Sequence, residues 1–142
     1  MADFSKIAVL GSGSWATALV KILCENNAIV GWYMRNETIY EHLLNEGHNP
    51  NYLSSVEFNT QQLDIYTNLD EVVSQYDVLI VAIPSFYLDS ALAPLTESLE
   101  NKIVFSAVKG IVPEQKMLVG AYLTAKFNVP EAHLGVITGP CH

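Results

Sequence analysis

The chain has 142 residues, about one domain's length. It is 50% apolar and 15% charged, and its acids outnumber its bases 15 to 7, for a formal net charge of −8. These figures exclude a disordered chain, a disulfide scaffold on the widely separated Cys24 and Cys141, a membrane-spanning helix and a broad nucleic-acid-binding face, which must be basic.

A small anionic ligand remains compatible, because it needs only a local positive pocket. Short β-branched runs alternate along the chain with longer amphipathic ones. The first strand is predicted over 7–10, followed by a helix over 14–25 with apolar positions at Trp15, Leu19, Ile22 and Leu23. A strand over 29–33 precedes a helix over 37–46, and a third strand is read at 64–66 before a short helix over 69–74. The apolar run 78–83 is a fourth strand. The helix expected over 86–99 is interrupted by Pro94. A fifth strand over 103–106 leads to a helix over 113–126, whose opening Pro113 and Glu114 suit a first turn, and a sixth strand covers 134–138. The nearly continuous apolar strands read as buried on both faces. Alternation of this kind specifies an α/β fold, a doubly wound and mostly parallel sheet of about six strands with helices on both faces. Its crossovers should be right-handed.

Ligands of such sheets lie beyond the carboxyl ends of the strands. The loops expected there gather glycines, hydroxyls and two cations from a chain otherwise rich in acids. The first loop reads G-x-G-x-x-A at Gly11, Gly13 and Ala16. Gly11 permits a tight turn, Gly13 lets the backbone approach a pyrophosphate, and Ala16 allows close helix–strand packing. The following helix offers free amides and a positive dipole end to phosphates. The pattern follows a strand and opens a helix, the context that dinucleotide binding requires, with a purely structural turn as the alternative. Where NAD-preferring sites usually carry an acid, the second strand ends in Trp32, Tyr33, Met34 and Arg35. Arg35 tilts the choice toward NADP or dual use, against the plain alternative of a solvated surface arginine. Lys109 is placed to grip a phosphate or polarise a carbonyl, or is an ordinary surface lysine.

Other candidates are weaker. Cys141 and His142 are sequence neighbours, and adjacent side chains make a poor nucleophile–base pair. His42 and His48, around the end of the second predicted helix, read as capping or solvent-exposed groups rather than metal ligands, and no His/Cys cluster has zinc spacing. Trp15 and Trp32 suit core packing, although Trp15 also sits in the glycine turn, and Cys24 reads as a small hydrophobe on its helix. The stop at Gly139-Pro140-Cys141-His142, directly after an apolar run, reads as a truncation.

Taken together, these loops closely resemble the N-terminal, Rossmann-type domain of bacterial NAD(P)-dependent glycerol-3-phosphate dehydrogenases. The resemblance rests on GSGSWATAL at Gly11 to Leu19, WYMR at Trp32 to Arg35 and HNPNYL at His48 to Leu53. It continues through IPS at Ile83 to Ser85, KGI at Lys109 to Ile111 and TGPCH at Thr138 to His142. Single pieces are weak; their order and spacing are specific. The resemblance implies an NAD(P) cofactor, with Ser14 and Trp15 at its pyrophosphate, Arg35 at its adenosine end and Tyr52 nearby. It implies that Lys109 touches both the nicotinamide side and the substrate, and that Gly139 and Cys141 help form the substrate pocket. The implied reaction is reversible hydride transfer between NAD(P)H and dihydroxyacetone phosphate, yielding sn-glycerol 3-phosphate for phospholipid synthesis in the cytoplasm. The implied partners are a small phosphorylated substrate and a second copy of the full-length chain, with no nucleic acid and no membrane insertion.

The chain departs from the family at Ala16, where many relatives carry Gly, and at Cys141, where Ser or Thr is usual and a thiol is the weaker donor. Relatives also carry a C-terminal helical domain with the principal catalytic lysine. Residues 1–142 are therefore expected to be a nucleotide-binding half, inactive by itself. Three other readings stand beside it: another two-domain dehydrogenase acting on a hydroxy acid or sugar nucleotide, a non-catalytic NAD(P)-sensing module and, last, a purely structural α/β domain, which leaves the clustered edge residues unexplained.

Overall fold

The computed structural model describes residues 4–108 and 110–137. Among the described residues, eight strands occur in chain order: β1 (Ile7–Leu10), β2 (Val30–Tyr33), β3 (Leu63–Tyr66), β4 (Val78–Val81), β5 (Ile103–Ser106), β6 (Ile111–Val112), β7 (Met117–Leu118) and β8 (Leu134–Val136). Six of them form one parallel sheet in the order β3-β2-β1-β4-β5-β8, while β6 and β7 pair as an antiparallel hairpin. The helices are α1 (Ser14–Cys24), α2 (Glu37–Glu46), α3 (Leu69–Gln75), α4 (Ser85–Leu92) and α5 (Val119–Phe127). Among the described residues, no helix is long and apolar enough to cross a membrane.

Burial follows position in the sheet. Every residue of β2 and β4 is buried, whereas the edge strands β3 and β8 are half-buried or exposed. Alternate residues of each central strand serve opposite faces. Ala8, Leu10, Leu79 and Val81 pack with α3, α4 and α5. Val9, Trp32 and Ile80 pack with Ala16, Leu19 and Val20 of α1 and with Ile39 and Leu43 of α2. The two clusters are the two halves of a doubly wound core, as the alternation of runs requires. Strand order turns back between β1 and β4, and their carboxyl ends open the crevice where such sheets hold ligands.

Local signals agree with most predicted elements. The Asn36 side chain accepts from the amides of Thr38 (2.8 Å) and Ile39 (3.3 Å) and so starts α2, and Gly47 ends it at φ +77. Asn68 accepts from the Glu71 amide (3.1 Å) at the start of α3.

Two helices need correction. The helix expected over 113–126 begins at Val119 instead. Residues 113–116 form the turn of the β6–β7 hairpin, closed by the Lys116 amide on the Val112 carbonyl (2.8 Å) with Lys116 at φ +53. Apolar residues flank that turn on both sides, and Val112 is fully buried, so the hairpin anchors there rather than continuing as a helix. The helix expected over 86–99 begins at Ser85, stops at Leu92 and does not restart after Pro94. Instead the Asp70 carboxylate accepts from the amides of Thr96 (2.8 Å) and Glu97 (2.9 Å) and from the Thr96 hydroxyl (2.6 Å), tying that irregular segment to α3. The fourth strand, expected to reach Ile83, ends at Val81, although the Ala82 amide still donates to the Leu10 carbonyl (2.9 Å).

Candidate nucleotide-binding site

The first strand delivers Gly11 into a crowded corner. Its amide donates to the Tyr33 carbonyl at 2.9 Å, and its carbonyl accepts from the Trp32 indole at 2.6 Å. Gly11 has φ +127, and a Cβ there would stand 2.6 Å from the Ala82 carbonyl oxygen. Only glycine meets both conditions without displacing the Ala82 backbone just beyond β4.

Gly13 has the opposite surroundings. It is the N-cap of α1 with φ −77, no side chain caps the helix, and a Cβ built there meets nothing within 4 Å. Its carbonyl is held by the Thr17 amide (2.9 Å) and the Thr17 hydroxyl (2.7 Å). The first turn of α1 contains no acid. The initial amides of the helix therefore face open space with the positive end of its dipole behind them, a ready anion site. Ser14 and Trp15 are both exposed here. The Trp15 indole donates to the Ala107 carbonyl at 3.0 Å, so it ties the glycine turn to the loop beyond β5.

A buried amide locks the turn from the other side. Asn49 is fully buried, and its amide nitrogen donates to the Ser12 carbonyl (3.0 Å) and the Thr17 hydroxyl (3.1 Å). Its side-chain oxygen accepts from the amides of Asn51 (2.9 Å) and Tyr52 (3.2 Å). One side chain thus fixes both the glycine turn and the segment carrying Tyr52, whose ring is exposed. Arg35 is exposed two residues beyond Tyr33. Burial raises the Tyr33 hydroxyl above its ordinary pKa, and the Arg35 charge works against that rise.

The loops after β4 and β5 complete the described edge. Pro84 precedes α4 and no side chain caps it. Gly110, at φ +87, faces Ser85, whose oxygen would lie 3.7 Å from a Cβ at Gly110. Phe86 and Tyr87 stand exposed at the start of α4, their rings 5.1 Å apart and nearly perpendicular.

Of the residues singled out from the sequence, Gly11, Gly13, Ser14, Trp15, Arg35 and Tyr52 lie along this carboxyl edge. Lys109, Gly139 and Cys141 fall outside the described residues. Sequence reasoning missed Thr17, Trp32 and Asn49 as positioning residues and passed over the Phe86–Tyr87 pair. Asn49 lies within the HNPNYL segment of the resemblance, but nothing in that segment announces its role, which depends on a contact 37 residues away in the chain.

The family described as NAD-dependent glycerol-3-phosphate dehydrogenase N-terminus matches residues 6–142. Glycerol-3-phosphate dehydrogenase (NAD(P)+) of Pseudomonas fluorescens strain SBW25 is 35% identical over 140 residues, covering 99% of this chain and 40% of that protein. The protein of the same name from Pseudomonas aeruginosa strain PAO1 is 34% identical over the same length and the same shares. Among solved structures, the glycerol-3-phosphate dehydrogenase of Coxiella burnetii superposes with a TM-score of 0.78 at 25% identity, over 94% of this chain and 40% of that one. The Plasmodium falciparum enzyme gives 0.79 at 28%, with the same coverage. The chain spans about 40% of the length of these relatives. With the glycine turn, the strand order and a match running over nearly its whole length, the chain belongs to the family of NAD-dependent glycerol-3-phosphate dehydrogenase N-terminal domains.

Proposed function

We propose that this chain is the NAD(P)-binding half of a glycerol-3-phosphate dehydrogenase, which interconverts dihydroxyacetone phosphate and sn-glycerol 3-phosphate. The observation that carries the reading is the uncapped start of α1 behind Gly13, open to solvent at the topological switch point of the sheet. A nicotinamide dinucleotide supplies the hydride chemistry, and the protein supplies binding, alignment and charge.

The chain's own residues divide that work. The amides of Ser14 and Trp15 bind the diphosphate, and Gly13 leaves its approach clear. Trp15, held on Ala107, keeps the turn in register with the loop that leads to Lys109. Arg35 lies at the adenosine end, where its fork can pair with a 2′-phosphate. Tyr52 borders the nucleotide through the Asn49 hinge. Lys109 directs a positive charge toward the oxygen that becomes negative in the reaction, and Gly139 and Cys141 line the substrate side. The chain spans about 40% of the length of its relatives, and this reading assigns the substrate domain to the length it does not cover, so that residues 1–142 by themselves bind nucleotide without turnover. The reading extends to a small phosphorylated substrate, a cytoplasmic setting and a homodimer of the full-length protein.

Titration of the chain with NADPH and NADH, repeated on Arg35→Ala, tests this. Saturable binding of at least one nucleotide is expected, with the NADPH-to-NADH preference falling in the variant. An unchanged ratio removes the role of Arg35, and no binding of either nucleotide overturns the whole reading. Substantial reduction of dihydroxyacetone phosphate by residues 1–142 would contradict the division into two halves.

A further inference from the structure

The left-handed Gly47 ends α2 and turns the chain back on itself, so His48 returns over His42 of the same helix. Their Nε2 atoms stand 3.4 Å apart, with ring centroids at 4.6 Å and planes crossing at 78°. Both side chains are half-buried and reachable from solvent. His48 Nδ1 lies 3.4 Å from the Asn49 carbonyl, which can only accept, so this contact is a hydrogen bond in the Nδ1–H tautomer of His48, the one whose Nε2 carries a lone pair. A ring N–H given to a backbone carbonyl is the usual outer-shell support of a metal-ligating histidine.

Two nitrogens on a tetrahedral zinc ion, each at about 2.0–2.1 Å, stand about 3.3–3.4 Å apart. The observed separation matches that edge. Imidazole pairs suit zinc, copper and nickel, and the chain's net charge of −8 favours cations. We propose that His42 and His48 form a two-imidazole site for a first-row transition-metal ion, zinc in the first place, at the corner between α2 and the Asn49 segment. On binding, the His42 Nε2 proton moves through solvent to its Nδ1, and the hexahydrated ion sheds four waters as it becomes tetrahedral on the two Nε2 lone pairs. The charge of the ion is unchanged, two waters remain as ligands, and no redox step is involved. Among the described residues there is no cluster of three or more ligating side chains, so the site is open rather than structural. The proposal is independent of the nucleotide reading.

Zinc chloride is titrated calorimetrically into the tag-free chain carrying Cys24→Ser and Cys141→Ser, so that thiols do not compete. One zinc per chain is expected. His42→Ala and His48→Ala should each weaken binding about tenfold or more, since even losing an outer-shell partner costs that much. His133→Ala should leave binding unchanged. His42→Gln, which keeps good helix propensity, gives the same answer where the alanine variant folds poorly. Cobalt(II) absorption of tetrahedral type, lost in the same variants, is the second expected readout. Zinc affinity equal to the parent's in the folded His42 and His48 variants, or no zinc binding by the parent, overturns the proposal.

Discussion

The two glycines of one turn have different physical reasons, and substitution separates them. Gly11→Ala must place a Cβ against the Ala82 carbonyl oxygen at positive φ. Its backbone strain alone costs about 1–3 kcal/mol, and the clash adds to this, so urea unfolding should show a large loss of stability. Gly13→Ala adds a methyl group to open space. Alanine is only the poorer N-cap there, a cost of about 1 kcal/mol or less, yet nucleotide affinity should fall sharply because the methyl occupies the phosphate approach. Equal stability losses, or unimpaired nucleotide binding by a folded Gly13→Ala chain, would contradict this division. Asn49→Ala strands the Ser12 carbonyl and the amides of Asn51 and Tyr52. These bonds are part-buried and water can reach the freed amides of the exposed Asn51 and Tyr52, so chemical denaturation should register a loss near the lower end of the about 1–3 kcal/mol that an unsatisfied buried group costs, with weaker nucleotide binding. Tyr66 provides a pH signature. Burial first, then the hydrogen bond to Asp64 and its charge, push the Tyr66 hydroxyl up to about 12 from 10.0. A raised folded pKa means stability that is complete below about pH 10 and lost as pH rises toward 12. Tyr66→Phe should lessen that alkaline decline in unfolding curves taken across the window, while Tyr76 on the same Asp64 carboxylate and Tyr122 on Asp89, both also raised, keep part of it.

At the scale of elements, the sequence marked the central strands and α2 well because their signals are local. Buried parallel strands read as apolar runs, and Asn36 with Gly47 punctuates α2 at both ends. The β6–β7 hairpin was illegible because Pro113 and Glu114 start helices and turns alike; only the burial of Val112 against the core decides between them. Lys116 holds φ +53 in that turn. A non-glycine residue in the left-handed region costs about 1–2 kcal/mol, so Lys116→Gly should leave the melting temperature unchanged or raise it, despite glycine's greater entropy when unfolded. A lower melting temperature would show that the Lys116 side chain matters to the hairpin. Asp89 joins α4 to α5 by accepting from the Tyr122 hydroxyl (2.7 Å) and Lys126 (3.2 Å), a contact between helices that neither helix's own pattern announces.

At the scale of the molecule, two apolar clusters clamp one sheet whose carboxyl edge carries the glycine turn, Arg35 and the Tyr52 segment. A ligand that binds only the folded chain raises its stability by mass action, about 2.7 kcal/mol at a hundredfold excess over Kd. Saturating NADPH should therefore raise the melting temperature of the parent chain and leave that of Gly13→Ala nearly where it was. The alternation of runs, the glycine spacing and the family motifs were determined by the sequence alone, because each is a property of neighbouring residues or of composition along a short stretch. The tertiary structure alone decided that Asn49 locks the turn, that Trp15 reaches Ala107, that residues 113–116 close a hairpin and that His42 meets His48. Each of those depends on where the chain folds back, and a buried polar group takes its meaning from the partner that satisfies it.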